Sequence, residues 1–72
     1  MGDHFLDNRG LTPPEPMIRT LKKLDEIANG ESLVIVNDRQ PMFLYPELEE
    51  RGYQYETEQQ EDGSYKISIH KR

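Results

Sequence analysis

Two short runs set a carboxylate close to a guanidinium ahead of a proline-marked helix start. They are Asp7-Asn8-Arg9, before Pro13, Pro14 and Pro16, and Asn37-Asp38-Arg39, before Pro41. Arginine presents a planar fork of donors that matches carboxylate and phosphate oxygens. A helix N-terminus adds free N–H groups and the positive end of the helix dipole. If both runs close parallel, neighbouring strands, they lie together at the carboxyl ends of those strands, where open α/β sheets usually place ligands. Such an edge, with Arg9 and Arg39, could take a small anion or an acidic peptide. The same residues also allow a self-contained arrangement, in which Asp7 and Asp38 pair with the arginines and cap the helices. Pro13, Pro14 and Pro16 count against an anion, because each removes an N–H that the anion would use.

Other constellations are sparse. The chain has no cysteine, which excludes thiolate chemistry, disulfides and cysteine zinc sites. His4 and His70 stand at opposite ends with no third ligand at short spacing, so no metal site is expected. Glu47, Glu49 and Glu50 read as the wet face of a helix rather than as general acids. There is no Ser-His-Asp set, glycine-rich phosphate loop or metalloprotease helix. Tyr53, Tyr55 and Tyr65 could stack on RNA bases, but their alternation places them with Ile67 and Ile69 on the face that helices should cover. Residues 47–62 carry seven acids against Arg51 alone, which repels phosphates. No enzyme, cofactor or nucleic-acid partner is expected.

The elements that must position the loop edge are legible in the pattern. Phe5-Leu6 suggests a brief first strand ended by Asp7-Asn8-Arg9-Gly10. Thr12 and Glu15 have capping-box spacing. Met17, Ile18, Leu21, Leu24, Ile27 and Ala28 then recur at three- and four-residue steps, with Asn29-Gly30 as the stop. Ser32 to Val36 is apolar without alternation, as in a strand buried on both faces or central in a sheet. Met42 to Arg51 can form a second helix lined by Phe43, Leu44 and Leu48, and Pro46 requires it to start late or bend. Tyr53 to Glu58 and Tyr65 to His70 alternate as strands around Asp62-Gly63, a pair suited to a tight hairpin. Lys71-Arg72 is expected to fray.

The order β-α-β-α-β-β gives a parallel pair joined by a crossover, followed by an antiparallel hairpin. The expected fold is an α/β two-layer sandwich: a mixed four-stranded sheet with two helices on one face. Seventy-two residues allow one domain, spanning 1–72, with a thin core. Nine basic against fourteen acidic residues give a charge of −5, which disfavours polyanions over most of the surface. The longest apolar run, Leu33 to Val36, is far short of a membrane span, and the acidic N-terminus does not read as a signal peptide. A cytoplasmic monomer is the expectation.

The segment Leu6-Asp7-x-x-Gly10-Leu11-x-Pro13-Pro14-x-Pro16 resembles the opening motif of the TusA (SirA-like) sulfur-carrier domains, L-D-x-x-G-L-x-C-P-x-P. Gly30-Glu31-Ser32-Leu33, the strand after it and the total length also fit. The middle segment from Asn37 to Gly52, with Pro41, Leu44-Tyr45-Pro46-Glu47-Leu48-Glu49 and Arg51, is similar to a sister group, domain-of-unknown-function family 2249. In the carriers the motif's cysteine holds the persulfide, and here that position is Pro13. The resemblance therefore implies the sandwich fold and an accessible helix start that docks partner proteins, without sulfur transfer by the persulfide route.

Together these readings point to a non-enzymatic protein-interaction domain with an unidentified protein partner. Its expected surface is the edge formed by Asp7, Arg9, Pro13, Pro14, Glu15, Asp38, Arg39 and Tyr45. The alternative is a sensor that holds a small anion or metabolite at the same edge. Met42, Phe43 and Tyr45 can belong either to a docking patch or to the core.

Overall fold

The structure is a computed structural model that describes residues 2–71, leaving Met1 and Arg72 outside the description. Six elements follow one another: β1 (Asp3–Asp7), α1 (Glu15–Glu26), β2 (Ser32–Asn37), α2 (Leu44–Glu50), β3 (Gln54–Gln59) and β4 (Tyr65–His70). The sheet order is β1-β2-β4-β3, with β1 parallel to β2 and the other neighbours antiparallel. This is the expected mixed sheet, and β2 lies inside it.

The core forms where alternation in the strands meets the helical stripes. Leu33 and Ile35 of β2 and Ile67 and Ile69 of β4 point to one side. There they are sealed by Leu24 and Ile27 from the end of α1 and by Leu44 and Leu48 of α2. β3 completes this face, with Tyr55 opposite Ile69 and Thr57 opposite Ile67, the pairing that the two-residue period required. The other face of the sheet has no helix over it. Ser32, Val34 and Val36 are therefore only half-buried, and β2 is central without being buried on both faces.

Several boundaries differ from the sequence pattern. β1 is longer than Phe5-Leu6, because the ladder to β2 runs from Asp3↔Ser32 to Asp7↔Val36. The Thr12/Glu15 capping box does not form. Pro14 caps α1 without a side-chain bond, the Pro13–Pro14 peptide is cis, and Glu15 N–H goes to the Thr12 carbonyl at 3.0 Å. On α1, Ile18 is 56% exposed, whereas Thr20 is fully buried in its place. α2 starts late, at Leu44, so Pro46 falls in the first turn, where a missing N–H costs no helical bond. Phe43 is consequently left outside the helix and outside the core.

The ends of α1 and of the hairpin show how local demands move a turn. α1 stops at Glu26, and Gly30, at φ +91°, serves the turn into β2 instead. The helix's last carbonyls are capped from across the fold: Lys71 Nζ donates to Leu24 O at 2.5 Å and to Ile27 O at 2.8 Å. Lys71 is thus anchored rather than frayed, and it exchanges backbone bonds with Gly30 and Glu31. Arg72, expected to fray with it, lies outside the described residues. The β3–β4 connection is not a two-residue turn. Gln60 N–H reaches Ser64 O at 2.7 Å across a three-residue loop in which only Gly63 takes positive φ, at +90°.

Candidate functional site

The β1–α1 loop, residues 8–14, and the β2–α2 loop, residues 38–43, emerge side by side, because β1 and β2 are parallel neighbours. Asn8 N–H continues the ladder to Val36 O at 2.8 Å. Gly10 N–H then donates to Asp38 Oδ2 at 2.6 Å, which ties one loop to the other. Beneath them lies a buried polar cluster. Asn8 Nδ2 reaches Thr20 Oγ1 at 3.0 Å, Asn37 Oδ1 at 3.1 Å and Pro16 O at 3.4 Å, and Thr20 Oγ1 donates to Pro16 O at 2.8 Å. Asn8 Oδ1 is left buried without a partner, and it is the only such side-chain atom among the described residues.

Asp7 and Arg9 close on each other. Arg9 Nε donates to Asp7 Oδ1 at 3.0 Å and Arg9 Nη2 to Asp7 Oδ2 at 2.9 Å, a two-pronged pair, and Arg9 N–H adds a third bond at 3.0 Å. The guanidinium and that backbone N–H hold the Asp7 carboxyl down at about 2. The hairpin turn also reaches this edge, since Asp62 Oδ2 lies 3.6 Å from Arg9 Nη1. Asp62 is itself held by Ser64, whose hydroxyl and N–H both donate to Oδ1 and depress its pKa. The edge therefore carries Asp7, Asp38 and Asp62 against Arg9 and Arg39, rather than an excess of positive charge.

The remaining expected residues divide between this surface and the packing. Pro13, Pro14, Glu15, Asp38 and Arg39 are exposed, and Arg39 makes no salt bridge or side-chain hydrogen bond among the described residues. Neither aspartate caps a helix: Asp7 serves Arg9, and Asp38 serves Gly10. Tyr45 is half-buried and packs toward β3, and its hydroxyl also accepts from Gln40 Nε2 of the β2–α2 loop at 3.4 Å. Its ring stacks on Tyr55 with centroids 4.8 Å apart and planes 4° from parallel, and its hydroxyl meets Thr57 Oγ1 at 2.6 Å. Tyr55 in turn donates to Glu49, a bond that raises the Tyr55 pKa.

Met42 is 60% exposed and Phe43 86% exposed, next to Arg39 on the segment that leads into α2. They resolve the alternative between patch and core: Met42 and Phe43 are surface, and Tyr45 is packing. The Asn8–Thr20–Asn37 cluster and the approach of Asp62 went unread in the sequence. Thr20 alone left a trace, since it sits between Met17 and Leu24 at the spacing of the buried stripe. A surface depression of about 470 Å³ lies instead between Tyr53, Tyr55 and His70 at the start of β3. Among the described residues no three His, Cys, Asp or Glu side chains converge as a metal site. None of their helices is long and apolar enough to cross a membrane.

The element order, the sheet and the helix placement define a SirA-like two-layer α/β sandwich. The SirA-like protein of Desulfitobacterium hafniense has a solved structure that superposes with a TM-score of 0.83 at 26% identity, over 92% of this chain and 93% of that one. The chain belongs to the family described as uncharacterized conserved protein (DUF2249), whose model matches residues 5–71. It is a cysteine-free member, with Pro13 at the motif position where the sulfur carriers have their thiol. No curated protein matches the chain.

Proposed function

We propose that this domain is a non-enzymatic protein-interaction module that docks a partner protein through the loop edge beside the start of α2. The observation that supports this most is the exposure of Met42 and Phe43 next to Arg39, whose charge is uncommitted among the described residues. A phenyl ring left in water forgoes about 1.5–3 kcal/mol that burial would return. A large apolar residue flanked by polar ones is the usual composition of an interface anchor. The rigid support below it, from the Asn8 cluster and the Gly10–Asp38 bond, keeps the two loops in a fixed relation and lowers the entropy lost on docking.

The anion alternative draws less support. Arg9 is already committed to Asp7 and Asp62, and the first turn of α1 has two prolines and an acid where an anion needs donors. The N–H groups of Met17 and Ile18 are also spent, both on Pro14 O.

The test is quantitative capture from lysate, with wild-type protein beside the Arg39→Ala/Phe43→Ser and Arg9→Ala/Arg39→Ala double variants. The partner recovered by the wild type should fall at least severalfold with each variant while the amide spectrum stays native. Undiminished recovery overturns the surface. A melting temperature raised by phosphate, sulfate or a nucleotide in the absence of protein favours the sensor reading instead.

A further inference from the structure

β1 is an edge strand, and three cations of α1, Arg19, Lys22 and Lys23, lie along the flank beside it. Its Gly2 O and Asn8 N–H bonds to β2 fix the ladder's phase. By alternation His4 and Leu6 bond inward, so the N–H and C=O groups of Asp3, Phe5 and Asp7 face away from the sheet. Asp7 O is taken by Arg19 Nη1 at 3.3 Å, consistent with that outward direction. On the helix side of the same edge, Leu6, Arg19, Lys22, Lys23 and Glu26 line a shallow cleft of about 280 Å³. Arg19, Lys22 and Lys23 form no salt bridge among the described residues, and Glu26 at the far end is the cleft's only acid. On the opposite side of the strand, Phe5 is 62% exposed between Asp3 and Asp7.

We infer that this edge binds an extended acidic peptide segment of a partner protein, which adds to the sheet as a strand alongside Asp3–Phe5. Main-chain bonds to the outward groups of β1 hold such a segment, and its alternate side chains select it. Those on the helix side meet three cations over the Leu6 floor, so carboxylates fit there. Those on the other side meet Phe5 flanked by two acids, so an apolar residue between uncharged ones fits there.

A second copy of this chain does not satisfy the same chemistry. β1 against β1 sets Asp3 opposite Asp7, and β3, the other free edge, would bring Glu56 and Glu58 against the same aspartates. This surface is distinct from the loop edge around Arg39 and Phe43, and neither depends on the other.

The probe is a capped seven-residue peptide with Glu at its odd positions and Thr, Val and Thr at its even ones, titrated against the labelled domain and followed by amide shifts and hydrogen exchange. Expected are saturable shifts confined to Asp3–Asp7 and Arg19–Glu26, with slowed exchange at the Phe5 N–H. Binding should weaken with added salt, and about fivefold to tenfold in a Lys22→Gln/Lys23→Gln variant whose amide spectrum stays native, Lys22 being exposed and Lys23 half-buried. The same peptide with Lys in place of Glu should not bind. Four results overturn the proposal: no shifts up to millimolar peptide, equal binding of the Lys peptide, indifference to the double substitution, or the same shifts at equal affinity with a seven-nucleotide oligothymidylate. Because Lys22 and Lys23 lie outside the loop edge, failure here leaves the Arg39/Phe43 surface untouched.

Discussion

Asp7 and Arg9 show how a residue pair can be read for its chemistry and still be misjudged in its use. Their types and spacing announced a carboxylate–guanidinium contact, and the structure makes it, at 2.9 and 3.0 Å, as an internal clasp. The folded-state pKa of Asp7 lies below its ordinary 3.8, at about 2. The clasp therefore contributes fully above pH 4 and is lost as the pH falls toward 2. Carboxyl chemical shifts should place the Asp7 midpoint near 2 and return it toward 3.8 in Arg9→Ala; a midpoint near 3.8 in the wild type would remove the clasp. Asn8 is the opposite case. Its amide was invisible as chemistry because an asparagine after a strand usually marks a turn, yet it is buried and joins Thr20 to Asn37. Asn8→Ala removes the donor that Asn37 Oδ1 and Thr20 Oγ1 accept from, and urea unfolding should report a loss of about 1–3 kcal/mol. A change near zero would mean the cluster is not held as described.

At the scale of elements, the sequence was legible wherever a period ran uninterrupted. Tyr65 to His70 alternates without a break, and its strand and the face it shares with Tyr55 and Thr57 are as expected. The boundaries that moved are those decided by partners distant in sequence. α1 ends where Lys71, 44 residues beyond Ile27, caps its carbonyls, and no local pattern announces that. Phe43 looked like a helix-face residue because its spacing to Leu44 and Leu48 permits it. Pro46 instead sets the first turn, and the chain before it stays irregular. The hairpin differs by one residue of loop, since Asp62 spends its carboxylate on Ser64 and leaves positive φ to Gly63 alone. A Cβ at Gly63 would meet nothing within 4 Å, so Gly63→Ala isolates the backbone cost. It should lower stability by about 1–2 kcal/mol, with Gly63→Asn costing less, and equal costs for both would argue against a left-handed residue there.

The whole molecule separates its charge across the sheet. α1 brings Arg19, Lys22 and Lys23 to the β1 flank, and α2 with β3 brings Glu47, Glu49, Glu50, Glu56 and Glu58 to the other. The acidic run 47–62 was plain in the sequence, but the opposition of the two flanks required the strand order β1-β2-β4-β3. Among the described residues eight side chains make the buried apolar core, so Ile67→Ala, at an assumed cost of about 2–5 kcal/mol, should leave much of the population unfolded at 37 °C by circular dichroism. A native spectrum with unchanged melting would contradict a core this small.

The docking claim is tested most directly by a photo-reactive benzophenone side chain placed at Phe43 and, separately, at Glu56 on the helix-free face of β3. The proteins are irradiated in cells that express them and compared by gel shift. The account predicts a discrete higher-mass adduct from position 43 that fades when Arg39→Ala is added, and none from position 56. No adduct from position 43, or equal labelling from both positions, would contradict docking at the loop edge.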